Sequence, residues 1–201
     1  MDLGVRAQES SLSGIFGQGE RLCMPPYQRS YSWGEREALD LLGDLAEATD
    51  SNIPHFIGAI VLVNGAESGM VEIVDGQQRL TTLTILLAVL RDLETDKERA
   101  AALHAMIADD PRPMLGEAAN WRLTLNYMDG AFFRDTIQRL GATKTLRNEP
   151  GESDSQQRMV GNASALLKEL KQMPDERRHA LTDTVVTGCA LVRVVVNDKD
   201  Q

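Results

Sequence analysis

Aromatic residues, cysteines and long apolar runs are all scarce in this sequence. Only 4% of the 201 residues are Phe, Trp or Tyr, so aliphatic side chains must fill most of the core. Two cysteines, Cys23 and Cys189, are too few for a disulfide framework, and their apolar surroundings predict buried free thiols in a cytoplasmic protein. No uncharged apolar run reaches the ~18 residues of a membrane span. The N-terminus also lacks a signal-peptide pattern, so we expect no membrane partner.

Basic residues are in deficit as well. The chain has 21 Lys and Arg against 30 Asp and Glu, which gives a net charge of −9. This balance argues against a nucleic-acid binder driven by overall charge, although a few arginines in a cleft would still form a local positive site. The phosphate-loop pattern G-x-x-x-x-G-K-[ST] is missing, and the His and Cys residues lack zinc-ligand spacing. The sequence therefore offers no recognisable metal ligands of a nuclease.

Apolar periodicity predicts an α+β domain. For its organisation we expect a flexible lead-in over 1–19, a single domain over 20–200 and an internal loop over 141–157. The predicted strands are 21–24, 56–63, 70–74, 120–125 and 189–196, with 56–74 forming a hairpin. The predicted helices include one after Ser32 and others at 77–93, 158–172 and 175–187. The segment 77–93 is apolar on almost all sides, which predicts a central helix.

A polar turn, Asp75-Gly76-Gln77-Gln78-Arg79, interrupts the apolar run between the strand 70–74 and this helix. An Asp-Gly turn places the next residues at a helix N-terminus, where free N–H groups favour anions. Arg79 adds a planar fork for phosphate oxygens, and Asp75 could hold a divalent metal or accept a proton. The residues alone leave a second interpretation open, in which the turn only starts the helix.

A second polar cluster spans Tyr27 to Trp33 and follows two prolines that favour a stiff, extended backbone. Its Tyr, Arg and Trp side chains could stack on a base or hold a phosphate. Alternatively, the aromatic rings cover the edge of the core and Arg29 pairs with an acid such as Asp75. The two interpretations are compatible, because an Arg–Asp pair can line a site.

The segments "PPYQRSYSWGEREALDLLGDL", "HFIGAIVLV" and "EIVDGQQRLTTLTILLAVLRDL" occur in an order and spacing that resemble one protein family. This family is the N-terminal domain of GmrSD-type modification-dependent restriction proteins, which include SspE-like phosphorothioate-sensing antiphage effectors. "RLTLNYMDGAFF" and the final "LVRVVVND" resemble it too, so the likeness covers roughly residues 12–200. The DGQQR motif between a strand and a helix, with PPYQR upstream, makes the resemblance specific.

The resemblance implies a ParB/sulfiredoxin-like α+β fold, with a small mixed sheet, a central apolar helix and additional helices. It also implies binding and hydrolysis of GTP, UTP or ATP, with Mg²⁺ as the expected metal. The catalytic candidates are Asp75, Gln77, Gln78 and Arg79, with Asp75 as a candidate metal ligand. The candidates for nucleotide binding are Gly76, Gln78, Arg79 and Arg29. The candidates for contact with modified double-stranded DNA are Pro26, Tyr27, Gln28, Arg29, Ser30 and Trp33.

Full-length relatives carry a C-terminal HNH-type nuclease domain, which the resemblance implies as the partner of this domain. We expect this chain to be an N-terminal fragment or a short relative without that domain. Ser30 stands where many relatives have proline, so this chain departs from the family pattern at that position. Two alternative functions stay open: a non-catalytic reader of phosphorothioated or glucosylated DNA, and a structural interaction domain.

Overall fold

The computed structural model describes residues 4–17, 19–51, 55–64, 69–110, 119–146 and 151–196. Its strands are β1 (Val5–Ser11), β2 (Arg21–Cys23), β3 (His55–Asn64), β4 (Met70–Asp75), β5 (Ala108–Asp109), β6 (Asn120–Trp121), β7 (Leu123–Thr124) and β8 (Cys189–Val196). Its α-helices are α1 (Leu12–Phe16), α2 (Glu35–Ser51), α3 (Gln77–Leu93), α4 (Lys97–Ala105), α5 (Gly130–Phe133), α6 (Asp154–Gln172) and α7 (Asp175–Asp183). Two π-helical turns, Arg134–Gln138 and Thr184–Gly188, and a 3₁₀ turn, Ala142–Thr145, complete the elements. The predicted α+β class is confirmed.

Six strands form a mixed sheet in the order β1-β8-β3-β4-β2-β7, and β5 pairs with β6 separately. The pair β3–β4 is antiparallel, as the predicted hairpin requires. Strands β4, β2 and β7 run parallel to one another, so their carboxyl ends lie at the same edge of the sheet. Three chain segments therefore leave the sheet side by side at that edge.

Helix α3 is the centre of the fold and has the bounds that the sequence predicts. Of its seventeen residues, fifteen are buried, and it packs against α4 and α6. A helix buried on all sides needs apolar residues on every face, which explains the missing polar stripe in its sequence. Its start is consequently held in place by packing along its whole length.

A fully buried ion pair fixes the far end of α3. Arg91 Nε donates to Asp92 Oδ1 at 2.8 Å, and the guanidinium also donates to the carbonyls of Gln138 and Arg139 at 2.7 and 2.8 Å. Asp92 in turn accepts the backbone N–H and the hydroxyl of Thr143 at 3.0 and 2.7 Å. Because every charge here is hydrogen-bonded, the pair joins α3 to the turns that follow α5.

The N-terminal segment differs from the flexible lead-in that composition predicts for 1–19. Residues Val5–Ser11 pair with β8 along their whole length, from Val5 opposite Val196 to Ser11 opposite Ala190. In α1, which follows, Leu12, Ile15 and Phe16 are almost completely buried. The pairing supplies hydrogen-bond partners to one side of β8, a long-range requirement that local Gly and Ser content does not reveal.

Three further differences concern boundaries and burial. Helix α6 begins at Asp154, because the Ser153 side chain caps its first turn. The loop predicted for 141–157 is therefore shorter than expected at its C-terminal end. Residues 147–150 of that loop lie outside the described residues. The predicted strand 120–125 is two short strands in different sheets. Neither cysteine forms a disulfide, and Cys189 is buried as predicted whereas Cys23 is only half-buried.

Within the described residues, none of the helices is long and apolar enough to cross a membrane.

Candidate functional site

The two polar clusters of the sequence meet at the edge where β4, β2 and β7 end. Asp75 is the last residue of β4, and the segment that begins with Pro25 and Pro26 leaves β2. The chain after β7 leaves beside it, since Met24 N donates to Thr124 O at 2.9 Å. The carboxyl ends of parallel strands are a common place for ligands, because loops and helix N-termini converge there.

Gly76 makes the turn from β4 into α3 possible. Its φ of +93° lies in the left-handed region, and a Cβ there would stand 2.7 Å from Ile60 Cγ2. A larger residue would therefore be strained and would also collide with β3. Gly76 is the N-cap of α3 and provides no side-chain cap, so the first-turn N–H groups are left for another acceptor.

Gln78 holds the second polar cluster in place. Its Oε1 accepts the backbone N–H of Ser32 at 2.7 Å and that of Trp33 at 3.3 Å, and its Nε2 lies 3.4 Å from the carbonyl of Ser30. Its side chain thus bonds to the extended segment as a neighbouring strand would. Only 7% of Gln78 is exposed, so the structure gives this residue a structural role. Its predicted part in catalysis and nucleotide binding stays a prediction.

Gln77 continues the same network. Its Nε2 donates to Gln28 Oε1 at 3.0 Å, and Gln28 Nε2 donates to the Val74 carbonyl at 3.0 Å. Gln28 is therefore tied both to the end of β4 and to the first turn of α3. The two glutamines of the DGQQR motif both contact the PPYQRS segment, which explains why these motifs occur together in one chain.

Asn162 is a residue of this network that the sequence analysis missed. It is fully buried in α6, and its Nδ2 donates to Tyr31 Oη at 2.6 Å and to the Trp33 carbonyl at 3.1 Å. Tyr31 Oη also lies 2.7 Å from Thr82 Oγ1 on α3. Asn162 lies three residues after Met159 on the buried face of α6, so helical periodicity could have identified it as an interior amide.

Arg79 lies half-buried at the end of the turn. Its Nη1 donates to the Ala59 carbonyl at 3.3 Å, and its guanidinium lies against Gly58, where a Cβ would be 2.9 Å from Arg79 Cζ. Gly58 has a φ of +120° beside a register shift between β3 and β8, so the strand is shaped to admit this side chain. Arg79 also lines a cavity of about 370 Å³ together with Trp33, Glu37, Asp40, Leu41, Asp44, His55, Phe56 and Ile57.

Three arginines around the site form no ion pair with any described residue. They are Arg29, which is exposed after β2, Arg79, and Arg158 on α6, whose Nη1 donates to the Ser32 carbonyl at 3.2 Å. Elsewhere the arginines with a carboxylate partner include Arg91, Arg99, Arg122, Arg177, Arg178 and Arg193. On an acidic protein, each of these arginines is a local positive charge that can attract an anion.

Asp75 is exposed, and no described residue donates to its carboxylate. The Arg29–Asp75 pair that the sequence analysis considered is not formed. Among the described residues, no group of three or more His, Cys, Asp or Glu side chains could hold a metal ion. A metal at Asp75 would therefore need most of its ligands from a bound molecule and from water, as Mg²⁺ often does with nucleotide phosphates.

The remaining candidates for DNA contact have different surroundings. Pro26, Tyr27 and Ser30 are exposed, whereas Trp33 is half-buried against the core.

Burial raises the pKa of the Tyr31 hydroxyl above its ordinary value, although its hydrogen bonds act in the opposite direction. Backbone N–H groups of Glu37 and Gly34 lower the pKa of the Glu37 carboxyl, which keeps a negative charge at the start of α2.

The family model for the N-terminal domain of GmrSD restriction endonuclease matches residues 12–201. The chain belongs to this family. Among curated proteins, none matches the chain. As a GmrSD N-terminal domain, the chain is a component of a restriction system, and the family membership indicates DNA and a nuclease domain as partners.

Proposed function

We propose that this GmrSD N-terminal domain is a nucleoside triphosphatase that senses modified DNA, with phosphorothioated DNA as the first candidate, and that it regulates a DNA nuclease domain. One observation supports the proposal most: the unpaired Arg79 guanidinium stands in the uncapped first turn of α3. Two features that attract phosphate thus coincide at the carboxyl edge of parallel strands. A turn that served only to start the helix would not need an unpaired cation.

The proposed nucleotide site places phosphate oxygens against the first-turn N–H groups of α3 and the Arg79 fork. Arg29 follows Gln28, whose side chain bonds to Gln77 and to the Val74 carbonyl, so Arg29 can contribute a second positive charge at the edge of the site. Hydrolysis would break the bond between the γ-phosphorus and its bridging oxygen as water forms a new bond to that phosphorus. Asp75 would then accept the water's proton or share Mg²⁺ with the phosphates, and Arg79 would stabilise the charge on the phosphoryl oxygens.

The proposed DNA contact is the exposed part of the segment after β2. Pro26 and Tyr27 present an apolar surface, and Arg29 stands next to them without an acidic partner among the described residues. A phosphorothioate sulfur is larger and less hydrated than oxygen, so an apolar wall beside a cation suits it. We also propose a ParB/sulfiredoxin-like fold for the domain, which its mixed sheet and its buried central helix support.

The test is phosphate release from GTP, UTP, ATP and CTP by the purified chain, alone and with phosphorothioated, glucosylated or plain duplex DNA. We expect Arg79→Ala to lower turnover and nucleotide affinity at least tenfold, a typical effect of losing a charged phosphate contact. The matched control is Arg134→Ala, because Arg134 forms an exposed pair with its neighbour Asp135 away from the site. If both variants hydrolyse and bind nucleotide like the wild type, the site assignment is wrong.

A second candidate function, a non-catalytic reader of modified DNA, is favoured by the side chains of Gln77 and Gln78. Both amides bond to the segment after β2, which gives them a task other than orienting a water. This candidate predicts discrimination between modified and plain duplex without phosphate release from any nucleotide. Equal affinity for both duplexes, lost at moderate salt, would contradict both functions, because it would leave only nonspecific binding.

A further inference from the structure

The turn after β7 carries two exposed apolar side chains that neither proposed ligand contact uses. Tyr127 is 83% exposed and Met128 is 60% exposed. Tyr27, on the neighbouring segment, is 73% exposed. Single exposed apolar residues are ordinary on protein surfaces, but large ones on adjacent segments often mark an interaction site.

The two segments leave the sheet next to each other. Strands β2 and β7 are parallel, with Cys23 opposite Thr124, and neighbouring strands lie about 5 Å apart. Tyr27 is four residues beyond that pair, and Tyr127 is three residues beyond it. The two tyrosines therefore stand on segments that leave adjacent strands at the same edge of the sheet.

The turn that presents Tyr127 and Met128 is rigid. Asn126 Oδ1 accepts the backbone N–H groups of Met128 and Asp129, each at 3.2 Å, and the Asn126 carbonyl accepts the N–H of Gly130 at 2.8 Å. A ligand would thus meet apolar side chains on a backbone that is already ordered, which reduces the entropic cost of binding.

Within the turn Asn126–Gly130, no exposed carboxylate would oppose a polyanion. Asp129 is the one carboxylate of the turn Asn126–Gly130, and it is buried, with Oδ1 accepting the Ser155 hydroxyl at 2.7 Å. Arg29, which is exposed and forms no ion pair with any described residue, lies two residues after Tyr27. The surface therefore combines two tyrosines, a methionine and a cation without an exposed acid from this turn.

Resting on the proposed function, we infer that Tyr127 and Met128 form a second DNA-contacting element beside the segment Pro26–Ser30. In this arrangement the tyrosine ring and the thioether pack against deoxyribose and any phosphorothioate sulfur, while the Tyr127 hydroxyl donates to a phosphate oxygen. Both side chains reach the same DNA backbone as Tyr27, so the site has two apolar walls rather than one.

The test is a titration of fluorescent phosphorothioated and plain duplexes with the full chain. The variants are Tyr127→Ala, Tyr127→Phe and Met128→Ala, and the control is Leu140→Ala, because Leu140 is a large exposed apolar residue elsewhere. We expect Tyr127→Ala to weaken binding of the modified duplex about tenfold, as an exposed aromatic anchor does, and Tyr127→Phe to weaken it less. Phosphate release without DNA should stay at the wild-type rate. Because the Tyr127 side chain is largely exposed, its removal should not unfold the protein, so misfolding would not explain weaker DNA binding.

A second measurement locates the contact directly. Duplex DNA that carries 5-iododeoxyuridine should crosslink on irradiation to a peptide that contains Tyr127. If Tyr27→Ala weakens binding whereas Tyr127→Ala and Met128→Ala do not, the inference is overturned and the proposed function stands. If the wild type binds no duplex, both fall. If the Tyr127 and Met128 variants change self-association in sedimentation and leave DNA binding unchanged, the inference is also overturned, since the surface would then bind a second copy of the chain.

Discussion

Replacing Gln78 by alanine separates a positioning role from a catalytic one. The substitution removes the acceptor of two backbone N–H groups, Ser32 at 2.7 Å and Trp33 at 3.3 Å, at a site where the side chain is 7% exposed. The net contribution of one hydrogen bond to the free energy of unfolding is about 0.5–1.5 kcal/mol, so the two bonds together contribute roughly 2 kcal/mol. The contact to the Ser30 carbonyl at 3.4 Å is long and adds little.

Denaturant unfolding followed by tryptophan fluorescence measures this loss, and Trp33 itself reports on the segment. We expect Gln78→Ala to lower the free energy of unfolding by about 2 kcal/mol and to weaken binding of modified DNA, because residues 30–33 lose their anchor. Gln172→Ala is the control, since Gln172 is an exposed glutamine in α6 and should change neither quantity.

Gln78→Glu sharpens the test. The carboxylate keeps both acceptors for Ser32 and Trp33 and suits the N-terminus of α3, whereas it loses the amide donor. We expect this variant to recover most of the stability and DNA affinity. The reasoning is refuted if Gln78→Ala retains wild-type stability and DNA binding and loses only nucleotide turnover, because Gln78 would then act in the chemistry and not through the segment.

Two further predictions concern the two ends of α3. Gly76→Ala should lower the free energy of unfolding by at least ~2 kcal/mol in denaturant titrations, because it combines a left-handed backbone with a Cβ that would meet Ile60 at 2.7 Å; an unchanged midpoint would contradict it. Asp92→Asn should cost about 3–5 kcal/mol, because it leaves the buried Arg91 charge unpaired. Burial of Asp92 raises its pKa, but the Arg91 contact and further hydrogen bonds outweigh this and hold the pKa below its ordinary value. The contribution of the Asp92 carboxylate to wild-type stability should therefore decrease as pH falls below about 4 and through the folded-state pKa, and Asp92→Asn should lose less stability over that range.

Local patterns in the sequence predicted the elements whose partners lie nearby. The bounds of α3 and the β3–β4 hairpin follow from apolar runs and from a tight turn, so they were predicted correctly. The position of the polar turn at a strand–helix junction was visible for the same reason. Local signals of this kind depend on a few successive residues and do not require knowledge of the rest of the chain.

The missed features depend on contacts between distant residues. Val5 pairs with Val196 at the opposite end of the chain, which local composition cannot show. Asn162 reaches Tyr31 across 131 residues. The resemblance implies a role for Gln78 in nucleotide binding, which stays a prediction, and it gives no sign that the same amide holds Ser32. Residue type indicates what a side chain can do, and tertiary packing decides which partner it meets.

The polar interruption between β4 and α3 follows from the different tasks of two consecutive residues. Successive side chains on a helix point about 100° apart, so Gln78 faces the segment after β2 while Arg79 faces β3. Neither position can be apolar: Gln78 replaces a missing backbone partner, and Arg79 lies over Gly58, beside the 370 Å³ cavity. Because both side chains leave the same rigid turn, a displacement of the start of α3 would move the segment and the cation together. The proposed nucleotide and DNA contacts are thus joined by a single helical turn rather than by a long chain of intermediate residues.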